Sequence, residues 1–149
     1  MHTPRGFTMI ELMIAIVLMG IITAIAAPKL GSIRDQASVR SATQQIGAYV
    51  ASARASAIRR GMRANFKTQA DTMWIEIQQP GAPELIAPPI PLAATFNITM
   101  TSTTDSIVFD ARGFAIYPAQ TSKFVVSKAS ASDSICVTRL GMISPTCGL

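Results

Sequence analysis

The feature that most limits what this chain can become is an apolar run of 21 residues, 7–27, interrupted by a single charge, Glu11. As a helix it would span roughly 31 Å, enough for a bilayer hydrocarbon core of about 30 Å. Six short, polar and basic residues precede it, Met1-His2-Thr3-Pro4-Arg5-Gly6. Arg5 on the amino-terminal side keeps that end in the cytoplasm and sends Lys29 onward across the membrane. Three readings fit such a segment. It can be a secretory signal peptide, cut at Ala24-Ile25-Ala26; a plain single-pass anchor; or a segment trimmed only at its leader and otherwise retained. The run is long for a signal-peptide core of about 7–15 residues. A carboxylate in the middle of a membrane helix costs on the order of 3 kcal/mol, somewhat less near an end. The first two readings give Glu11 no purpose.

The third accounts for it. The string Arg5-Gly6-Phe7-Thr8-Met9-Ile10-Glu11-Leu12 resembles the processing motif of type IV prepilins and pseudopilins: a basic leader ending in Gly, then Phe, then Glu at the fifth position of the mature chain. The similarity continues through Ile22 to Ala27-Pro28. The resemblance implies a leader of residues 1–6 and a transmembrane, filament-core helix over 7–28. A prepilin peptidase would cut between Gly6 and Phe7 on the cytoplasmic face and methylate the new amine of Phe7. It also implies that Glu11 acts in assembly, meeting the terminal ammonium of a neighbouring subunit. An ion pair in lipid is far less costly than a lone charge, so docking would be favoured and its register set. The partners so implied are other pilin or pseudopilin subunits, the peptidase and N-methyltransferase, and inner-membrane lipid before assembly. The head would sit in the periplasm, and later in a periplasmic or extracellular filament.

Beyond Pro28 the sequence stays compatible with helix to Arg60, which predicts an amphipathic continuation over 29–61. Val39, Ile46, Val50, Ala53 and Ala57 recur at the spacing of one buried stripe. Ile33, Tyr49 and Ile58 are expected to widen it, and Arg34, Arg40, Gln44, Arg54 and Arg59 to lie on other faces. Gly61 supplies a stop, with Arg59 and Arg60 in the last turn where cations complement the helix dipole. Read from residue 7 to 60, this is one helix of roughly 80 Å. Gly20, Pro28 and Gly31 are its weak points, because Pro removes a backbone donor and clashes with the preceding turn. Pro28 then either kinks the helix at the bilayer edge or, as the resemblance implies, marks a stretch from Gly20 that loosens on filament packing.

From residue 62 to 149 the chain reads as a β-rich head. Strands are expected at 63–69, 73–78, 95–100, 106–110, 113–117, 123–127 and 134–138, with 106–117 forming a hairpin about Ala111-Arg112-Gly113. Residues 79–92 carry Pro80, Pro83, Pro88, Pro89 and Pro91 and are expected to be loop or polyproline II, either a rigid surface connection or a binding loop. A long helix followed by antiparallel strands predicts an α+β fold, with the helix stripe packed on a small antiparallel sheet. That order resembles the pilin fold, and more closely the minor H pseudopilin of type II secretion and related minor type IV pilins. The residues carrying this similarity are 51–57, Trp74, Ile107-Val108-Phe109 with Gly113, and Ile135-Cys136-Val137 through Gly141 to Cys147.

Cys136 and Cys147 are the only cysteines. Export across the inner membrane would put them in an oxidising compartment, where one disulfide closing a C-terminal loop is expected. His2, the only histidine, would leave with the leader, so neither a Ser-His-Asp set nor a metal site is expected, and no phosphate-binding glycine loop appears. The expectation is a non-enzymatic subunit without cofactor or metal. Asp105 and Asp110 read as turn residues.

The formal charge of +5 raises nucleic acid as a partner. Some relatives of this minor-pilin group bind DNA through a Gly-Arg-rich C-terminal turn. Here that turn reads Thr138-Arg139-Leu140-Gly141-Met142, with Met142 where an Arg would be expected. Phosphate binding grows with the number of cations, so Arg139 alone supports little; Lys123, Lys128 and Arg139 would have to cluster. The charge is also in the wrong place, because residues 29–63 carry +6 and 64–149 carry −1. The expected function is therefore a minor pilin or pseudopilin subunit of a type II secretion pseudopilus or type IV pilus. A major pilin is the rival within that class, and a DNA-binding minor pilin of natural transformation the rival outside it.

Overall fold

The computed structural model describes residues 6–145 and Cys147, apart from the side chains of Ala27 and Pro28; leader residues 1–5 lie outside the described residues. The chain divides into two units, residues 1–34 and 35–149.

One helix, α1 (Met9–Arg60, 52 residues), belongs to both units. It begins two residues later than the sequence suggests, because Thr8 takes the capping position. It ends in a Schellman arrangement: Gly61 has φ +63°, its N–H donates to the Ile58 carbonyl at 3.4 Å, and the Met62 N–H donates to the Ala57 carbonyl at 3.3 Å. In the first unit every described side chain from residue 7 to 26 is exposed. In the second unit α1 buries Val39, Ala42, Ile46, Val50, Ala53 and Ala57, one stripe at helical spacing. Ile33 and Ile58 are exposed and do not widen this stripe. Ile33 precedes the second unit, and Ile58 is turned off the stripe by its place beside Ala57. Tyr49 is half-buried, its hydroxyl donates to the Pro88 carbonyl at 3.4 Å, and burial pushes its pKa up.

The head holds two antiparallel sheets where the sequence suggests one. The first is built from β1 (Ala64–Gln69), β2 (Thr72–Ile77), β3 (Glu84–Pro91), β5 (Ser106–Phe109) and β6 (Ala115–Tyr117), in the order β3-β2-β1-β5-β6. The second is built from β4 (Thr99–Ser102), β7 (Ser122–Lys128), β8 (Ala131–Val137) and β9 (Ile143–Ser144), in the order β4-β7-β8-β9. Alternation fixes which residues face inward. Ala64, Phe66 and Thr68 on β1 are buried, as are Met73, Ile75 and Ile77 on β2, and Ser122, Phe124 and Val126 on β7. The sheets meet where Phe66 stands edge-on to Phe124, with ring centroids 5.7 Å apart at 84°. Small residues on the helix let β8 come close: a Cβ on Gly47 would lie 3.1 Å from Ile135 Cδ1.

Two strand expectations change. Residues 79–92 are not all loop, because β3 pairs antiparallel with β2 from Ile77↔Glu84 to Thr72↔Pro91. The prolines are tolerated because β3 is an edge strand, and Pro88 and Pro89 fall where the register shifts between Met73 and Ile75. Residues 95–100 are not one strand. A short helix, α2 (Leu92–Phe96), ends at Asn97 in the left-handed conformation, and β4 begins after it. The β1–β2 turn is a tight one, with Ala70 and Asp71 both at positive φ, and Asp71 links it to the second sheet by accepting the Met100 N–H at 3.1 Å.

Candidate functional site

Gly6 and Phe7 lie outside the helix and are exposed, as a cleavage point between them would require. The next residues close a capping box. The Glu11 carboxylate accepts the Thr8 N–H at 3.1 Å and the Thr8 hydroxyl at 3.2 Å, while the Thr8 hydroxyl oxygen accepts the Glu11 N–H at 3.3 Å. Glu11 therefore has a local role that the sequence reading missed, although Thr8-x-x-Glu11 was a readable signal. The carboxylate stays exposed, one helical turn from Phe7.

The segment behind it is long and apolar enough to cross a membrane. Its one hydroxyl within the span, on Thr23, is returned to the helix backbone, donating to the Met19 and Gly20 carbonyls. The helix continues through Gly20, Pro28 and Gly31, and a Cβ placed on Gly20 or Gly31 would meet nothing within 4 Å.

At the other end of α1 the structure assembles a junction that periodicity did not reveal. Arg54, expected on an outer face, is half-buried. Its Nε donates to the Gly113 carbonyl at 3.0 Å and its guanidinium NH1 to the Gly141 carbonyl at 3.3 Å. One arginine thus ties the helix to the β5–β6 turn and to the β8–β9 turn. Both glycines have positive φ, and both are crowded: a Cβ on Gly113 would lie 2.7 Å from Ile58 Cδ1, and one on Gly141 2.9 Å from the Gly113 carbonyl. Asp110 organises the first turn by accepting the N–H groups of Phe114 and Arg112, each at 2.9 Å, and pairing with the Arg112 guanidinium at 3.2 Å. The Phe114 N–H, followed by Arg112, holds its carboxyl below the usual range. The second turn is fastened by the Cys136–Cys147 disulfide, with Cα atoms 5.4 Å apart. Closing a loop between residues 11 apart in the chain is worth about 3 kcal/mol in the chain-entropy account.

On the outer face of the first sheet, Glu76 accepts the Trp74 indole N–H at 2.6 Å and pairs with Lys67 at 2.7 Å. Partial burial opposes its ionisation, but Lys67 and Trp74 outweigh that and hold the carboxyl below its ordinary value. The residues singled out for DNA do not gather into one patch. Lys123 and Lys128 are five residues apart on β7, on opposite faces and roughly 16 Å apart. Lys128 is turned to α1, donating to the Ser38 hydroxyl at 3.1 Å and pairing with Asp35 at 3.5 Å. Arg139 is exposed beyond the end of β8.

Two family descriptions match the chain. Residues 1–27 match the prokaryotic N-terminal methylation motif, and residues 42–141 match the type II transport protein GspH. Among solved structures the fold is similar to the type IV minor pilin FimU of Pseudomonas aeruginosa strain PAO1 in two crystal forms. One gives a TM-score of 0.57 at 16% identity, covering 71% of this chain and 86% of that one. The other gives 0.55 at 17% identity, covering 70% and 90%. Comparison with curated protein sequences returns no match.

Proposed function

The chain belongs to the type II transport protein GspH family and carries the prokaryotic N-terminal methylation motif, and we propose that it is a minor pilin or pseudopilin subunit, trimmed between Gly6 and Phe7 and built into a type II secretion pseudopilus or type IV pilus. The family is structural, and its members assemble with other pilin subunits. In this reading residues 1–6 are the leader, 7–28 the retained membrane helix that becomes filament core, 29–61 its amphipathic continuation and 62–149 the exported head. The stretch from Gly20 to Pro28 loosens as subunits pack.

One observation carries the proposal: a fully exposed apolar segment, residues 7–26, whose single charge, Glu11, sits one turn from the expected new amino terminus. Trimming would free the Phe7 ammonium, and Glu11 of a subunit entering the filament would meet the ammonium of its neighbour. In lipid each charge is costly alone and the pair much less so, so correct docking removes a penalty that misdocking leaves in place.

Because Glu11 also closes the capping box, the test must separate charge from cap. Glu11→Gln keeps a side chain suited to the box but removes the charge, whereas Glu11→Ala removes both. Both variants should be trimmed normally. Both should appear in sheared filaments or cross-linked pseudopili at least ten-fold less than the wild-type chain, the equivalent of about 1.4 kcal/mol. If Glu11→Gln assembled like wild type while Glu11→Ala did not, Glu11 would be a helix cap only.

A further inference from the structure

Among the large apolar side chains exposed in the described residues from 35 onward, all but Leu85 come from Ile58 and from two short segments, 114–117 and 140–143. Those segments meet. The Ala115 N–H donates to the Arg139 carbonyl at 2.9 Å, and the close approaches at Gly113 and Gly141 bring both turns against Ile58 and Arg54. Phe114 is 43% exposed, Leu140 53% and Met142 54%, although the backbone beneath them is fastened by Arg54, Asp110 and the disulfide. Apolar side chains concentrated on a rigid base mark a contact surface more than a chance exposure, and the rigidity lowers the ordering cost of docking.

The charge around this face selects its occupant. Arg112 lies over the Phe114 ring at 5.7 Å and, although it pairs with Asp110 at 3.2 Å, its side chain is 81% exposed; exposed Arg139 makes no ion pair among the described residues. Aromatic and arginine side chains are the types that dominate protein interfaces. A second copy docked through the same face would set these arginines against their own kind, which complementarity disfavours. We propose that the face formed by Ile58, Phe114, Leu140 and Met142 docks a different pilin-family subunit, through an apolar patch on that subunit carrying carboxylates opposite Arg112 and Arg139. The class of partner rests on the reading of this chain as a filament subunit; the location and chemistry of the face rest on the head alone.

The test uses the full chain in its own host, with a photo-reactive phenylalanine analogue replacing Leu140 and, separately, Ser130 in the exposed β7–β8 turn at the other end of that hairpin. After irradiation, adducts are identified by mass spectrometry, and the same cells are assayed for the chain in sheared filaments. The expected adduct at 140 is with another chain bearing a prepilin leader motif, at ten-fold or higher yield than at 130. Arg139→Glu should lower that yield at least five-fold without changing thermal unfolding of the head. Met142→Glu should do the same, so the conclusion does not hang on one variant. An adduct with a second copy of this chain, with phospholipid, or equally from both positions would overturn the proposal. So would indifference to Arg139→Glu, or no adduct at 140 from a chain that still enters filaments. Failure to enter filaments at all would sink the subunit reading itself, and the partner assignment with it.

Discussion

The two halves of α1 share one helix and differ in every other respect. From residue 9 to 26 apolar side chains surround the helix and all are exposed; from 35 to 60 the larger ones, apart from exposed Ile58 and half-buried Tyr49, lie on a stripe that is almost completely buried. A stripe reports a partner within the same chain, because only one face needs cover. Apolarity on all sides reports an environment the chain does not supply, which in the proposed function is lipid and then neighbouring subunits. The one charge among residues 7–27, Glu11, is placed at the first turn, where its carboxylate accepts the Thr8 N–H and complements the helix dipole.

The largest expected effect comes from placing a carboxylate in each half. Ile46→Asp buries an unpaired charge in the hydrophobic core, where Ile46 is fully buried, and should cost about 4 kcal/mol or more, on the order of the whole stability of a small head. Near-ultraviolet circular dichroism of the full chain in detergent, which reports Trp74 in its folded setting, should lose its cooperative transition. Ile16→Asp should leave that transition where it is and instead weaken membrane retention by about 2.5–3.5 kcal/mol, read as release on alkaline washing. Equal destabilisation of the head by both variants would erase the distinction between the halves.

A smaller contrast uses glycine. Gly20→Ala meets no atom within 4 Å and should firm the helix by about 1 kcal/mol. Gly47→Ala gains the same propensity but meets Ile135 Cδ1 at 3.1 Å, so its net effect on thermal unfolding should be near zero. If the stretch from Gly20 to Pro28 must loosen during packing, Gly20→Ala should assemble less well despite its firmer helix. Unchanged assembly would remove that role.

Much of this was readable from residues. Hydropathy gave the apolar segment, helical spacing picked out Val39, Ile46, Val50, Ala53 and Ala57, and alternation located most strands to within a residue or two. What escaped was set by tertiary context. Five prolines made 79–92 look unpaired, yet an edge strand offers its outer side to solvent and absorbs them at a register shift. Leu92–Phe96 is helical after Pro91, with Asn97 able to take the left-handed cap. Arg54 looked like surface charge because nothing local announces that two carbonyls from residues 59 and 87 positions away will converge on it. Gly113 and Gly141 were the only trace of that junction. The division of charge between stem and head was visible in sequence, but the separation of Lys123 from Lys128 needed the strand register.

The most direct measurement is the intact mass and amino-terminal sequence of the chain recovered from the membrane fraction of its own cells. The expected species begins at Phe7, carries one methyl group on its terminal amine, and keeps residues 7–28. A chain beginning after Ala26, released from the membrane without the apolar segment, would contradict the assignment of this protein as a filament subunit.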